Sequence, residues 1–216
     1  MSTLYIRNLN GEALPADEEL SQVYGVIVPI YNKITDQNIA LKEFNDNILG
    51  FNVFYDMLIF QLIDAIITAK IDVNYETGDI TTTPNDVHII KIQENMKYVD
   101  HYFFPELKKV TLGFLIHCPG LTEHTNQIRP LLYELDLETT NLSIIYNKNA
   151  PETDFYYDFD NIGIVNVAAL TYDKLRLLYN ISFIHEKNNR MYICSINLRQ
   201  RGNEYEAINT KVIEPI

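Results

Sequence analysis

Tryptophan is absent from this 216-residue sequence, and glycine and cysteine are scarce. The eight glycines stand alone, which excludes a P-loop and a dinucleotide-binding fingerprint, because both place several glycines around a phosphate. No Gly-x-Ser-x-Gly elbow is present, and no motif marks Cys118 or Cys194 as a nucleophile. The best metal candidates have the spacing of neither a zinc finger nor a metalloprotease: His101, His117, Cys118 and His124. The sequence therefore predicts no catalytic residue, no metal site and no cofactor, and a protein that is not an enzyme.

Basic side chains are also few, 17 against 29 acidic ones, which gives a net charge of −12. This charge repels phosphate backbones and anionic lipid surfaces, so nucleic acid and membranes are poor partners. The most apolar stretch, 53–73, is interrupted by Asp56, Asp64 and Lys70, which argues against a transmembrane segment. With two distant cysteines and no early apolar stretch, we expect a reducing compartment rather than secretion.

Alternation of apolar and polar residues on both sides of polar turns predicts hairpins of half-buried strands. Residues 64–75 alternate before a turn at 76–79, and 80–83 return until Pro84 ends the strand. Two more hairpins have turns at 138–141 and 186–189, the latter between strands at 175–185 and 191–198. Single strands are predicted at 110–117, 162–168 and 205–213, with a turn at 199–203 before the last. The prediction is a mainly β protein whose antiparallel sheets form a sandwich, a barrel or partial propeller-like blades.

The first fifty residues are predicted to be an N-terminal arm with a short helix, since Pro15 suits a first helical turn and Asp17 favours the helix dipole. The structure of 26–50 is left open. Residues 51–216 are assigned to the β domain, with a sub-boundary near 101–109. A helix over 54–69 is the alternative to strands there, because short apolar runs do not separate the two periods.

The sequence Tyr75-Glu76-Thr77-Gly78-Asp79-Ile80 is similar to Leu137-Glu138-Thr139-Thr140-Asn141-Leu142. This similarity raises the hypothesis of an internal repeat built from hairpins.

Charge is distributed unevenly along the chain: 1–100 carry −9, 101–173 carry −6, and 174–216 carry +3. A basic C-terminal region opposite an acidic remainder suggests a protein interface, although a solvated face is the ordinary reading of such residues. The candidate interface residues are Lys174, Arg176, Lys187, Arg190, Arg199 and Arg201. We expect reversal of Arg190, Arg199 and Arg201 to Glu to slow assembly and leave the fold intact.

A second candidate surface alternates aromatic rings with carboxylates, a combination that suits a glycan. Packed aromatics under an acidic loop, or a partial calcium loop, are the alternatives. The residues concerned are Asp154, Tyr156, Tyr157, Asp158 and Asp160.

Several stretches resemble the β-rich structural proteins of tailed-bacteriophage virions. They are 175–184 (LRLLYNISFI), 191–198 (MYICSINL), 133–139 (YELDLET) and 55–60 (YDMLIF). The resemblance implies a non-enzymatic tail, neck or capsid component, located in the virion and assembled in the host cytoplasm. Its implied partners are other virion proteins and copies of itself. The alternative function is a carbohydrate- or receptor-binding β module, for which a glycan would be the ligand.

Overall fold

The computed structural model describes residues 48–74, 76–77, 79–118, 127–148, 164–187 and 190–213. These residues form three four-stranded antiparallel sheets, so the prediction of a mainly β fold is confirmed. The strands are β1 Ile48–Phe54, β2 Met57–Leu62, β3 Ala65–Asn74, β4 Asp79–Lys91, β5 Met96–Phe104, β6 Lys109–Cys118, β7 Gln127–Asp136, β8 Leu142–Asn147, β9 Ile164–Asp173, β10 Leu178–Lys187, β11 Arg190–Arg201 and β12 Glu204–Ile213.

The chain divides into two compact units, Met1–Ile89 and Ile90–Ile216, which we call unit 1 and unit 2. The described part of unit 1 is the sheet of order β1-β2-β3-β4. Unit 2 contains the sheets β5-β6-β7-β8 and β12-β11-β10-β9. The predicted N-terminal helix lies outside the described residues, whereas 48–50, assigned to the arm, belong to β1. The segment 101–109, where a sub-boundary was predicted, runs from β5 through a turn into β6.

The sheet of unit 1 has apolar side chains buried on both faces of its central strands. One face carries a cluster of Leu58, Phe60, Leu62, Ala65, Ile67 and Ala69. On the other face of β3, Ile66 and Thr68 are also fully buried. The prediction of a half-buried strand is therefore wrong over 65–69, because a central strand is covered on both sides there. The alternative of a helix over 54–69 is wrong as well.

Two of the predicted hairpin turns are confirmed, and the third is tighter than expected. Glu76 and Thr77 form the turn between β3 and β4, and 137–139 form the turn between β7 and β8. At the third turn the strands extend to Lys187 and resume at Arg190, so only 188–189 connect them. Pro84 does not end β4, which is the edge strand of its sheet, where a residue without a backbone N–H needs no ladder partner.

Unit 2 is a sandwich whose core is drawn from both of its sheets. The core cluster contains Phe104, Leu115, Leu132 and Tyr146 from one sheet, packed with Leu170, Tyr179, Ile181, Phe183, Cys194, Ile196 and Leu198 from the other. The edge strand β5 contacts β9, and β8 contacts β12. In the centre of the first sheet, every residue of β6 from Val110 to Ile116 is buried. Of the three predicted architectures, the sandwich describes this unit.

Candidate assembly surface

Four hairpin turns of unit 2 lie at one end of the sandwich, which we call the turn end. They connect β5 to β6, β7 to β8, β9 to β10 and β11 to β12. Two ion pairs join the first three of these turns. Lys174 Nζ lies 2.8 Å from Glu106 Oε1 of the other sheet, and Lys108 Nζ lies 2.6 Å from Glu138 Oε1 within one sheet. The fourth turn lies beside the third, because β11 and β10 are paired neighbours.

The β9–β10 turn, 174–177, is held by a side chain at its start. Asp173 Oδ1 accepts hydrogen bonds from the backbone N–H of Leu175 and of Arg176, at 3.0 and 3.1 Å. Leu177 takes a left-handed conformation, φ 50°, and its carbonyl accepts the backbone N–H of Gln200 on β11. An Asx turn of this kind is locally determined, because the short carboxylate replaces a backbone acceptor. The backbone conformation of the turn is therefore well defined, and it leaves the side chain of Leu175 97% exposed.

The neighbouring β5–β6 turn also presents a leucine. Pro105 begins this turn, and Lys108 ends it in a left-handed conformation, φ 50°. Leu107 between them is 62% exposed. The Glu106–Lys174 pair thus brings together two turns that carry three exposed leucines, Leu107, Leu175 and Leu177. Single exposed leucines are ordinary on protein surfaces, but several on adjacent turns are typical of an interaction site.

Several charged groups of the turn end are paired with one another. The hydrogen bond from Lys174 holds the pKa of the Glu106 carboxyl below its usual range, and the same bond raises the pKa of Lys174. Backbone hydrogen bonding from Thr139 is the main cause of the lowered pKa of Asp136 at the β7–β8 turn. All of these groups are near solvent, where ion pairs contribute little to folding and can exchange partners. The binding energy of this end would therefore come from the leucines, and charge would orient the partner.

The structure separates the six basic candidates into two groups. Lys174 and Arg176 belong to the β9–β10 turn, and Arg199 and Arg201 lie beside it at the end of β11. Lys187 and Arg190 lie at the opposite end of the same hairpin, about 30 Å away at the usual rise of a strand. The candidates therefore do not form one patch.

Of the three arginines at the turn end, two are paired internally. Arg176 Nε lies 3.6 Å from Asp173 Oδ2, and Arg201 Nη2 lies 3.0 Å from Glu206 Oε1. Arg199 is exposed and has no ion pair within the described part of the chain.

The exposed leucines were missed by sequence reasoning, because alternation placed the start of the strand at Leu175. The signal that identifies the turn is the aspartate before it. Asp136 accepts the backbone N–H groups of Glu138 and Thr139 in the same way, and Thr140 follows in a left-handed conformation. Asn74 does so for Glu76 and Thr77. The similarity of the two turn sequences thus reflects a shared type of turn.

The aromatic-acidic candidate surface lies outside the described residues, as does His124 of the metal candidates. Within the described ranges no group of three or more His, Cys, Asp or Glu side chains is placed to hold a metal ion. The outer face of the sheet β9–β12 is polar instead. There Asn180 Nδ2 donates to Asn197 Oδ1 at 2.8 Å, and Ser182 Oγ donates to Asn180 Oδ1 at 2.5 Å. These side chains satisfy one another, so they offer few unused groups to a ligand.

The described part of this chain is thus a β-sandwich unit preceded by a four-stranded sheet, with an apolar turn end. No protein-family model matches it. No curated protein matches it either. Among the residues described, no helix is long and apolar enough to cross a membrane.

Proposed function

We propose that this chain is a non-enzymatic structural subunit of a viral particle, a tail, neck or capsid component. It acts by assembling with copies of itself and with other virion proteins in the host cytoplasm. The observation that carries the assembly role is the turn end, where Leu107, Leu175 and Leu177 stand exposed on turns joined by an ion pair. The resemblance of four stretches to tailed-phage structural proteins supports the viral setting.

The turn end has the features of the centre of a protein interface. Its leucines lie on turns whose backbones are hydrogen bonded, by Asp173 Oδ1 in one turn and by the Pro105 carbonyl in the other, so little backbone entropy is lost when a partner covers them. Charged groups surround them at exposed positions, which matches the polar rim of an interface. A partner with an apolar pocket would cover the leucines, and the rim would fix its orientation.

The experiment that tests this proposal compares Leu175→Asp with the control Ile193→Asp. Ile193 is an exposed apolar residue too, at 50%, but it lies on β11 away from the turn. We expect Leu175→Asp to abolish the formation of large oligomers in sedimentation velocity and incorporation into particles, with an unchanged thermal transition, and Ile193→Asp to assemble as the wild type does. Wild-type assembly by Leu175→Asp, or a particle map with the turn end in solvent, would overturn the proposal. Glycan-array binding by a protein that does not assemble would favour the carbohydrate-binding alternative.

A further inference from the structure

The strand β1 is an edge strand with unusual composition. It pairs with β2 on one side, and no strand of the described residues pairs with its other side. Its seven residues, Ile-Leu-Gly-Phe-Asn-Val-Phe, include no charge and no proline. Natural sheets protect such edges with charges, proline or short length, as β12 does with Glu204 and Glu206. The strand β8 is uncharged too, but it contacts β12.

The register of β1 determines which of its backbone groups point away from β2. The hairpin closes with Phe54 opposite Met57 around a two-residue turn, and such a closing pair is hydrogen bonded. Bonded and non-bonded pairs alternate along an antiparallel ladder. Asn52 therefore bonds towards β2, whereas the N–H and C=O groups of Phe51 and Val53 point to the open edge.

The side chains of Phe51 and Val53 determine which face of the sheet a partner strand would extend. Phe51 and Val53 lie opposite Phe60 and Leu58, so they share the face of the unit 1 apolar cluster. Phe51 packs against that cluster, but Val53 is 51% exposed at its margin. A register shift between Ile48 and Gly50 disturbs the ladder at Leu49. The regular edge therefore runs from Gly50 to Phe54 and is centred on Asn52.

We propose that β1 strands of two copies of this chain pair antiparallel about a two-fold axis at Asn52, which joins two four-stranded sheets into one. In this arrangement Phe51 of each copy opposes Val53 of the other, and each such pair exchanges both of its N–H···O bonds. The two Asn52 side chains face each other across the axis.

A second copy fits this edge because the edge is complementary to itself. A two-fold axis places Phe51 against Val53, an aromatic and β-branched pair of the kind that stabilises antiparallel sheets. The exposed surface of Val53 becomes covered, and the apolar cluster becomes continuous across the axis. No like charges meet, since the strand has none. The contact is isologous and closed, whereas the turn end meets a different surface, so the two contacts are independent.

Asn52→Asp tests the axis directly, because only two-fold pairing at this residue brings two copies of the new carboxylate together. Like charges directly opposite each other in a sheet are destabilising. We expect the dissociation constant of the dimer to rise about tenfold or more, measured by sedimentation equilibrium of the full chain. The measurement is made in a Leu175→Asp background, so that any assembly through the turn end is removed and the β1 contact is read alone.

Asn52→Lys supplies the matched control, since two like charges should weaken its dimer in the same way. An equal mixture of the Asp and Lys variants should regain a heterodimer, which native mass spectrometry distinguishes by mass. Val53→Lys should also abolish the dimer without unfolding the protein, because the side chain is half exposed in the monomer. A thermal transition confirms that each variant is folded.

A monomeric chain in the Leu175→Asp background overturns the proposal, and so does an Asn52→Asp protein that dimerises as tightly as its parent. Failure of the mixture to form heterodimers shows that the axis does not pass through Asn52 and overturns it as well. None of these outcomes bears on the turn end, which is tested with Asn52 intact.

Discussion

The hydroxyl of Tyr179 on β10 lies 2.6 Å from Oγ1 of Thr111 on β6, and this hydrogen bond connects the two sheets of the sandwich through its core. Both residues are buried. The ring of Tyr179 packs against Tyr172 and Tyr205, with centroid distances of 4.7 and 5.3 Å. Burial raises the pKa of the Tyr179 hydroxyl, and it raises that of Tyr205 to about 12. The hydroxyl therefore stays protonated and links the sheets.

We expect Tyr179→Phe to destabilise the protein by about 1–3 kcal/mol, because it leaves the Thr111 hydroxyl buried without this partner. Thr111→Val should remove the unsatisfied group, so the double variant should be more stable than the sum of the two single changes predicts. Urea denaturation of the four proteins measures this coupling. Additive effects would show that the bond contributes nothing of its own.

A second contact between the sheets restricts Gly113 on β6. A Cβ atom at this position would lie 3.2 Å from Leu170 Cδ2 and 3.5 Å from the backbone oxygen of Asp100. We expect Gly113→Ala to cost about 1–3 kcal/mol through overpacking. Adding Leu170→Val to the same protein should recover part of this loss, as read from denaturant midpoints. If Gly113→Ala destabilises the protein equally with and without Leu170→Val, the strain lies elsewhere.

Because the basic candidates lie at two ends of one hairpin, charge reversal can be divided between the ends. We expect Arg199→Glu with Arg201→Glu to slow assembly several-fold at low salt, since these residues flank the exposed leucines. Lys187→Glu with Arg190→Glu, at the far end, should assemble at the wild-type rate. Light scattering against time measures both. Slower assembly of the Lys187 and Arg190 variant alone would instead place the interface at the β10–β11 turn.

His101 on β5 should make stability depend on pH. Its Nδ1 lies 3.2 Å from the Tyr98 hydroxyl, and burial lowers the pKa of the imidazole despite the nearby Asp100 carboxylate. A lowered pKa means that the folded protein favours neutral His101. The stability that neutral His101 gives the folded protein is fully present above the unfolded-state pKa, about 6.5, and it is lost as the pH falls below that value. Thermal transitions from about pH 7.5 to pH 5 should fall more steeply for the wild type than for His101→Gln. Parallel curves would contradict this assignment.

The sequence predicted the hairpins in which polar turn residues stand between two alternating strands. The turns after Asn74 and Asp136 were found because polar residues interrupt clear alternation there. The tight β1–β2 turn was missed, since Tyr55 takes a left-handed conformation, φ 56°, that a bulky residue rarely adopts. The strand β5 was missed because a register shift between Tyr98 and Asp100 breaks its period of two.

The exposed leucines of the turn end were harder to predict, because the exposure of a side chain depends on tertiary packing. The leucine-rich stretch beginning at Leu175 reads as a strand, and only the bonds to Asp173 show that its first residues form a turn. The basic side chains were identified by charge alone, which carries no information about which end of a hairpin they occupy. The strand β2 was hidden for a related reason: it is buried on both faces, so it has no alternation to detect.

In all three sheets the spatial order of the strands follows their order along the chain. Each described strand therefore pairs only with the strand before or after it in sequence, so no sheet needs a segment that is distant along the chain. Such local pairing shortens the loops that must close before contacts form, which favours rapid folding. As the chain leaves the ribosome, the sheet β5–β8 can pair its strands before β9 has been synthesised. The sheet β9–β12 then completes the sandwich core, so the last step of folding in unit 2 depends on the C-terminal strands.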